Sequence, residues 1–159
     1  MILLLICNKM SLEILILGII FMKKHKSKQA LKKIFNKPGF VYHDKIFDEI
    51  TEIIVGSGKE DWFVRVFAKN LYKLEELGED AIDGRSIERL KQAQGLCSLK
   101  MRCKELNLRL LFSFDKFQDK VMLHLFFERD DSTKDKYSTH IPIALERKKD
   151  LEGDFKNGK

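Results

Sequence analysis

The chain has 159 residues, with 30 Lys plus Arg against 24 Asp plus Glu, a net charge of +6 and a pI of about 9.2, which is one domain's worth of polypeptide. Its 44% hydrophobic residues, 12 Phe among them, can fill a core while 34% charged residues keep it solvated, which counts against wholesale disorder, collagen-like structure and multiple membrane spans. Cys7, Cys97 and Cys103 are odd in number and lack C-x-x-C spacing, so neither a disulfide framework nor a Cys-rich zinc site is expected, and a reducing cytoplasm is the expected location.

Residues 1–22 hold the most apolar runs, Ile2 to Ile6 and Leu12 to Met22, broken by Lys9 and Glu13. The uninterrupted run from Ile14 to Met22 is short of the roughly 20 residues a bilayer span needs. The basic exit Lys23-Lys24-His25-Lys26 is unlike a secretory cleavage site. Three readings stay open: an early translation start with Met22 the initiator, a membrane-surface anchor, or an extra strand or helix. No stable membrane insertion is expected. Residues 23–45 read as a basic helix and connector, with Ser27 as cap, Leu31, Ile34 and Phe35 on one face and Pro38-Gly39 as the stop.

Ile46 to Val55 is rich in Ile and Val and ends at Gly56-Ser57-Gly58, which predicts a first strand and a turn, with helical spacing as the alternative. Phe63, Val66, Phe67, Asn70, Leu71, Leu74 and Leu77 recur at threes and fours before Gly78, predicting an amphipathic helix over 60–77. Ser86 to Gln94 reads as a shorter helix stopped by Gly95. In Cys97 to Cys103, Cys97, Leu99, Met101 and Cys103 alternate with Ser98, Lys100 and Arg102. Leu108, Leu110, Phe112 and Phe114 alternate likewise with Asn107, Arg109, Leu111 and Ser113. A hairpin near Lys104 to Leu106 then sets Lys100, Arg102 and Arg109 on one sheet face. Val121 to Phe127 is apolar on both parities, as in a central strand, and contains His124. Tyr137 to Leu151 reads as a closing helix whose Pro142 must lie in the first turn, and 152–159 as a flexible tail. The fold class is therefore α+β: a small twisted antiparallel sheet, a three-strand C-terminal meander plus an N-terminal strand, packed against helices.

There is no Gly-rich phosphate loop, G-x-S-x-G, H-E-x-x-H or EF-hand loop. The four histidines, His25, His43, His124 and His140, lack ligand spacing, so no metal and no cofactor is expected. Lys100, Arg102 and Arg109 on one face repel one another unless an anion or acidic neighbours attend them. The plain reading is a solvated face with acidic neighbours; the sharper one is phosphate binding. Arg129, Lys134, Lys136 and Tyr137 form a second basic cluster after the third strand. Phosphodiester cleavage needs cations on the scissile phosphate and a group that moves the proton of the attacking 2′-hydroxyl, a role open to Tyr137, His140, Glu128 or His124.

Leu71-Tyr72-Lys73-Leu74-Glu75-Glu76-Leu77-Gly78, Leu90-Lys91 and Gly95-Leu96-Cys97-Ser98-Leu99-Lys100-Met101-Arg102 resemble the helix-then-strand signature of RelE/HigB-family toxins of bacterial type II toxin–antitoxin systems. Asn107 to Asp115 is similar to that family's arginine-bearing strand, Val121 to Phe127 to its apolar strand with an embedded histidine, and Ile141 to Leu151 to its closing helix. The resemblance covers 46–151 and implies a RelE/ParE-like fold and a metal-independent mRNA interferase, often ribosome-dependent. Its partners would be mRNA and a cognate antitoxin protein, commonly helix-turn-helix. It also implies that Arg102 and Arg109 hold phosphate and that Arg129 matches one of two consecutive basic residues. The chain departs from that pattern: the first of the pair is Glu128, and the loop from Asp130 to Lys136 is longer and acidic.

Three functions follow. In the first, a ribonuclease, Lys100, Arg102, Arg109 and Arg129 bind RNA while Lys134, Lys136, Tyr137 or His124 assist proton transfer. The second is a gyrase-inhibiting, ParE-like binding module of the same fold. The third is a member that binds its antitoxin and is otherwise inactive. Under the first, Arg102→Ala or Arg109→Ala should abolish cleavage with little change in stability.

Overall fold

A computed structural model of the chain describes residues 34–128 and 137–156. The expectations for residues 1–22, for the Ser27 cap and Leu31, and for Arg129, Lys134 and Lys136 lie outside the described residues. The described elements run β1 (Phe40–Tyr42), α1 (Lys45–Ile54), α2 (Glu60–Leu77), a 3-10 turn (Gly78–Ala81), β2 (Ile87–Arg89), β3 (Cys97–Arg102), β4 (Asn107–Phe114), β5 (Lys120–Phe127) and α3 (His140–Lys156). The strands form one five-stranded sheet in the order β1-β5-β4-β3-β2. The meander β2-β3-β4-β5 is antiparallel, and β1 joins the outer side of β5 in parallel. The fold is thus α+β with a mixed sheet, where an all-antiparallel one was expected. No helix among the described residues is long and apolar enough to cross a membrane.

The 60–77 helix, the β3–β4 hairpin, the β5 strand and the closing helix stand where the patterns put them. Pro142 lies in the first turn of α3, where its missing N–H costs nothing. Two segments differ. Residues 46–55 form α1 instead of a strand, because Ile46, Phe47, Ile50 and Ile54 make one buried stripe at helical spacing, and that stripe outweighs the β propensity of the isoleucines. The N-terminal strand is instead β1, inside the segment read as a connector, and Ile34 and Phe35 before it are buried in the same core.

Residues 86–94 form β2 and a turn instead of a helix. Asp83 decides this locally: its Oδ1 accepts the backbone N–H groups of Arg85, Ser86 and Ile87 at 2.8, 2.9 and 3.1 Å, while Lys73 Nζ holds Oδ2 at 2.6 Å. That side-chain turn ties the loop down and delivers Ile87 in extended form to the edge of β3, with which it pairs. Finally α3 runs to Lys156, past the expected boundary at Leu151.

Both sheet faces are covered. Leu99, Met101, Leu110, Phe112 and Met122 meet Phe63, Phe67, Leu71 and Leu74 of α2 and the stripe of α1. Burying each such side chain stabilises the fold by about 1.5–3 kcal/mol. On the other face Leu111, Val121, Leu123 and Phe126 meet Ala144 and Leu151 of α3. A bulge opposite the Leu111/Phe112 step leaves Leu123 as an extra residue on β5 and brings His124 into register with Leu111, on the α3 side.

Candidate functional site

The α3 face of the sheet is laid out in rows, because residues paired across strands share a side. Glu88, Ser98, Leu111 and His124 form one row across β2 to β5; Lys100, Arg109 and Phe126 form the next; Arg102 and Asn107 the third. The alternation in β3 and β4 therefore does place Lys100, Arg102 and Arg109 on one face. α3 enters over the first two rows, led by Tyr137.

Carboxylates meet two of these cations. Glu88 Oε2 is 2.7 Å from Lys100 Nζ, and its Oε1 is 3.4 Å from Arg109 Nη1. Glu128 Oε2 accepts from Arg109 Nε at 2.7 Å and from Asn107 Nδ2 at 2.8 Å, and Arg109 Nη2 lies 2.7 Å from the same oxygen. The Arg109 side chain is 13% exposed and that of Glu128 2%, so this fork is a buried, charge-assisted contact. Arg102 differs: it is exposed and forms no ion pair with a described residue. The acidic neighbours of the plain reading are therefore present, and they divide the predicted cation triple into a compensated pair and a solvated residue.

Tyr137 joins the first two rows. Its hydroxyl donates to Glu88 Oε1 at 2.8 Å and stands 3.0 Å from Ser98 Oγ, while the Arg109 guanidinium lies 5.9 Å from its ring centre. Burial pushes the phenol up to about 12, so Tyr137 is neutral at physiological pH and serves as a proton donor. That removes it from the candidates for taking a proton from a 2′-hydroxyl.

His124 lies on the same sheet face as Lys100 and Arg109, but its ring nitrogens are engaged by other groups. Its Nδ1 is 2.7 Å from Glu49 Oε1 of α1 and its Nε2 is 2.9 Å from Nδ1 of His140, the first residue of α3. Arg147 Nη1 lies 2.7 Å from the same Glu49 oxygen and donates to the Leu123 carbonyl at 2.8 Å. Glu49 Oε2 accepts the Leu125 N–H at 2.7 Å. Glu49 thus satisfies the edge of β5 beyond the short β1, the physical reason α1 lies there. The two clusters meet at Phe126, on which His140 stacks at 3.6 Å and against which Tyr137 sits edge-on at 6.2 Å. Burial, and then the neighbouring His124, lower the His140 pKa from its ordinary value. Among the described residues, no group of three His, Cys, Asp or Glu side chains is arranged to hold a metal ion.

Sequence reasoning missed Glu88, Glu49 and the role of Arg147. Glu88 lay in a presumed helix; the glycines Gly84 and Gly95 around Ile87–Arg89 were the available signal for a short strand. Glu49 lay in a presumed strand, and only the helical alternative for that segment brings it towards β5. Comparison of the chain with models of known protein families, with curated proteins and with solved structures finds no match.

Proposed function

We propose that the protein is a toxin-type endoribonuclease that cleaves mRNA without a metal, resembling RelE/HigB toxins, and that an antitoxin protein neutralises it. The observation that carries this reading is the convergence of Lys100, Arg109 and the neutral Tyr137 hydroxyl around Glu88 on one sheet face. The order of elements supports it as well: the helix and the strand after it, the arginine-bearing strand, the histidine-bearing strand and the closing helix follow one another as the resemblance implies.

In this reading Lys100 and Arg109 hold the scissile phosphate and stabilise the charge that grows on its oxygens. The 2′-oxygen forms a bond to phosphorus as its proton leaves to a base, the bond from phosphorus to the 5′-oxygen breaks, and Tyr137 supplies the proton the departing oxygen requires. The products are a 2′,3′-cyclic phosphate and a free 5′-hydroxyl. Exposed Arg102 tracks the neighbouring phosphate.

The test is induction of the full chain in bacteria lacking the antitoxin, with pulse-labelled protein synthesis and primer-extension mapping of mRNA 5′ ends. Arrest of translation with new ends, both lost in Tyr137→Phe, is the expected result; intact translation and intact mRNA would sink the nuclease reading. The Glu128 fork on Arg109 favours a second reading, a member that binds its antitoxin but leaves RNA uncut, because a guanidinium so engaged offers fewer donors to phosphate.

A further inference from the structure

With His124 neutral, the Glu49–His124–His140 chain runs in one direction. Glu49 is ion-paired with Arg147 and accepts the Leu125 N–H, so it acts as a carboxylate acceptor, and His124 presents an Nδ1–H to it at 2.7 Å, closer than Arg147 Nη1 lies to that nitrogen at 3.3 Å. His124 Nε2 is then a bare lone pair, which accepts the Nδ1–H of His140 across 2.9 Å. The remaining nitrogen of His140, Nε2, therefore carries a lone pair. No described residue hydrogen-bonds to it, and His140 is part exposed at the start of α3, while its ring is held flat on Phe126. A part-buried carboxylate, a buried imidazole and a part-exposed imidazole in series are the parts of a primed base.

We infer that His140 Nε2 is the base that takes the proton from the 2′-hydroxyl, with His124 and Glu49 as positioning residues that set its tautomer and steady the imidazolium it becomes. This rests on the RNA-cleaving reading above. Phe126 ties the relay to the phosphate-holding row: it pairs with Arg109 across the strands, His140 stacks on it and Tyr137 meets its edge. The group that takes the 2′-hydroxyl proton and the group that gives one to the departing oxygen are thus seated on one side chain, at the two ends of the cleavage step. The charged and titratable groups around His140 are Glu49 from α1, His124 from β5, Arg147 from α3, and His43 after β1, which also senses Arg147 and Glu49. Burial lowers the His140 pKa, which leaves its lone pair available to take a proton at neutral pH.

The experiment follows RNA cleavage by the purified full chain from pH 5 to 8 for wild type, Tyr137→Phe, His140→Asn and Glu49→Gln, with 15N NMR of the wild-type imidazoles. Expected are an Nδ1–H tautomer for neutral His140, a loss of about 100-fold or more in His140→Asn, and an acid limb that moves to lower pH in Glu49→Gln, since that carboxylate raises the His140 pKa. Cleavage that survives His140→Asn but is lost in Tyr137→Phe would overturn the relay and leave the nuclease reading standing. An Nε2–H tautomer for His140 overturns the relay without recourse to any variant. Absence of cleavage by wild type across the range removes the nuclease reading and the base role with it.

Discussion

Arg102 and Arg109 share a sheet face and a residue type, yet their surroundings make them different objects. The Arg109 guanidinium is gripped by Glu128 at 2.7 Å and touched by Glu88 at 3.4 Å with little solvent around it, whereas Arg102 projects into water at the strand end. Sequence alternation assigns a face, and it is silent about which carboxylate from another strand arrives on that face. The expectation that either arginine can be removed at little cost to stability therefore holds for one of them only. Arg109→Ala should destabilise the protein by roughly 3 kcal/mol, because it strips a partner from a buried carboxylate. Arg102→Ala should stay within about 0.5 kcal/mol of wild type. Paired urea denaturations measure both, and equal effects would mean that the Glu128 fork carries no stability.

At the level of elements, legibility tracked how far each segment's partners lay along the chain. The α2 helix was readable because its buried residues Phe63, Phe67, Asn70, Leu71 and Leu74 report their own period, and the β3 and β4 strands because alternation over six and eight residues is hard to produce otherwise. The three-residue β1 and β2 carry too few side chains to show a period; neighbours make them strands, β5 for the first and β3 for the second. In α1, Ile-rich composition pointed one way and the spacing of buried residues the other, and packing against β5 sided with spacing. Helix ends were clearer. Gly78 closes α2 at φ 53° and ψ −127°, a backbone state that a Cβ disfavours, although the space around it is open. Gly78→Ala should therefore cost about 1–3 kcal/mol through backbone strain alone. A thermal melt checks it; an unchanged Tm would mean the turn relaxes freely.

For the molecule as a whole, two part-buried histidines carry a stability signature apart from any catalysis. The pKa values of His43 and His140 both lie below the ordinary 6.5, burial being the main cause in each. The unfolded chain thus binds protons more readily at these sites than the folded one. Their contribution is fully present above about pH 6.5 and is lost as pH falls through the lowered folded values. Urea midpoints should accordingly be flat near neutrality and decline from about pH 6.5 towards pH 5, ahead of the carboxylates, whose ordinary values lie near 4. A flat profile down to about pH 5 would show that neither histidine resists protonation in the fold.

Taken alone, the chain's local patterns determined the α+β class, the long helix, the antiparallel hairpin, the burial of β5 on both faces and the face that bears Lys100, Arg102 and Arg109, since period and composition are local properties. Tertiary structure decided the rest. It alone placed β1 parallel on β5, set Glu88 and Glu128 against the cations, and drew Glu49, His124 and His140 from α1, β5 and α3 into one hydrogen-bonded line. Residues 75 and 16 positions apart in sequence meet there because the sheet must cover its open edge and fill both faces, and no window of sequence short enough to show a period spans such a meeting.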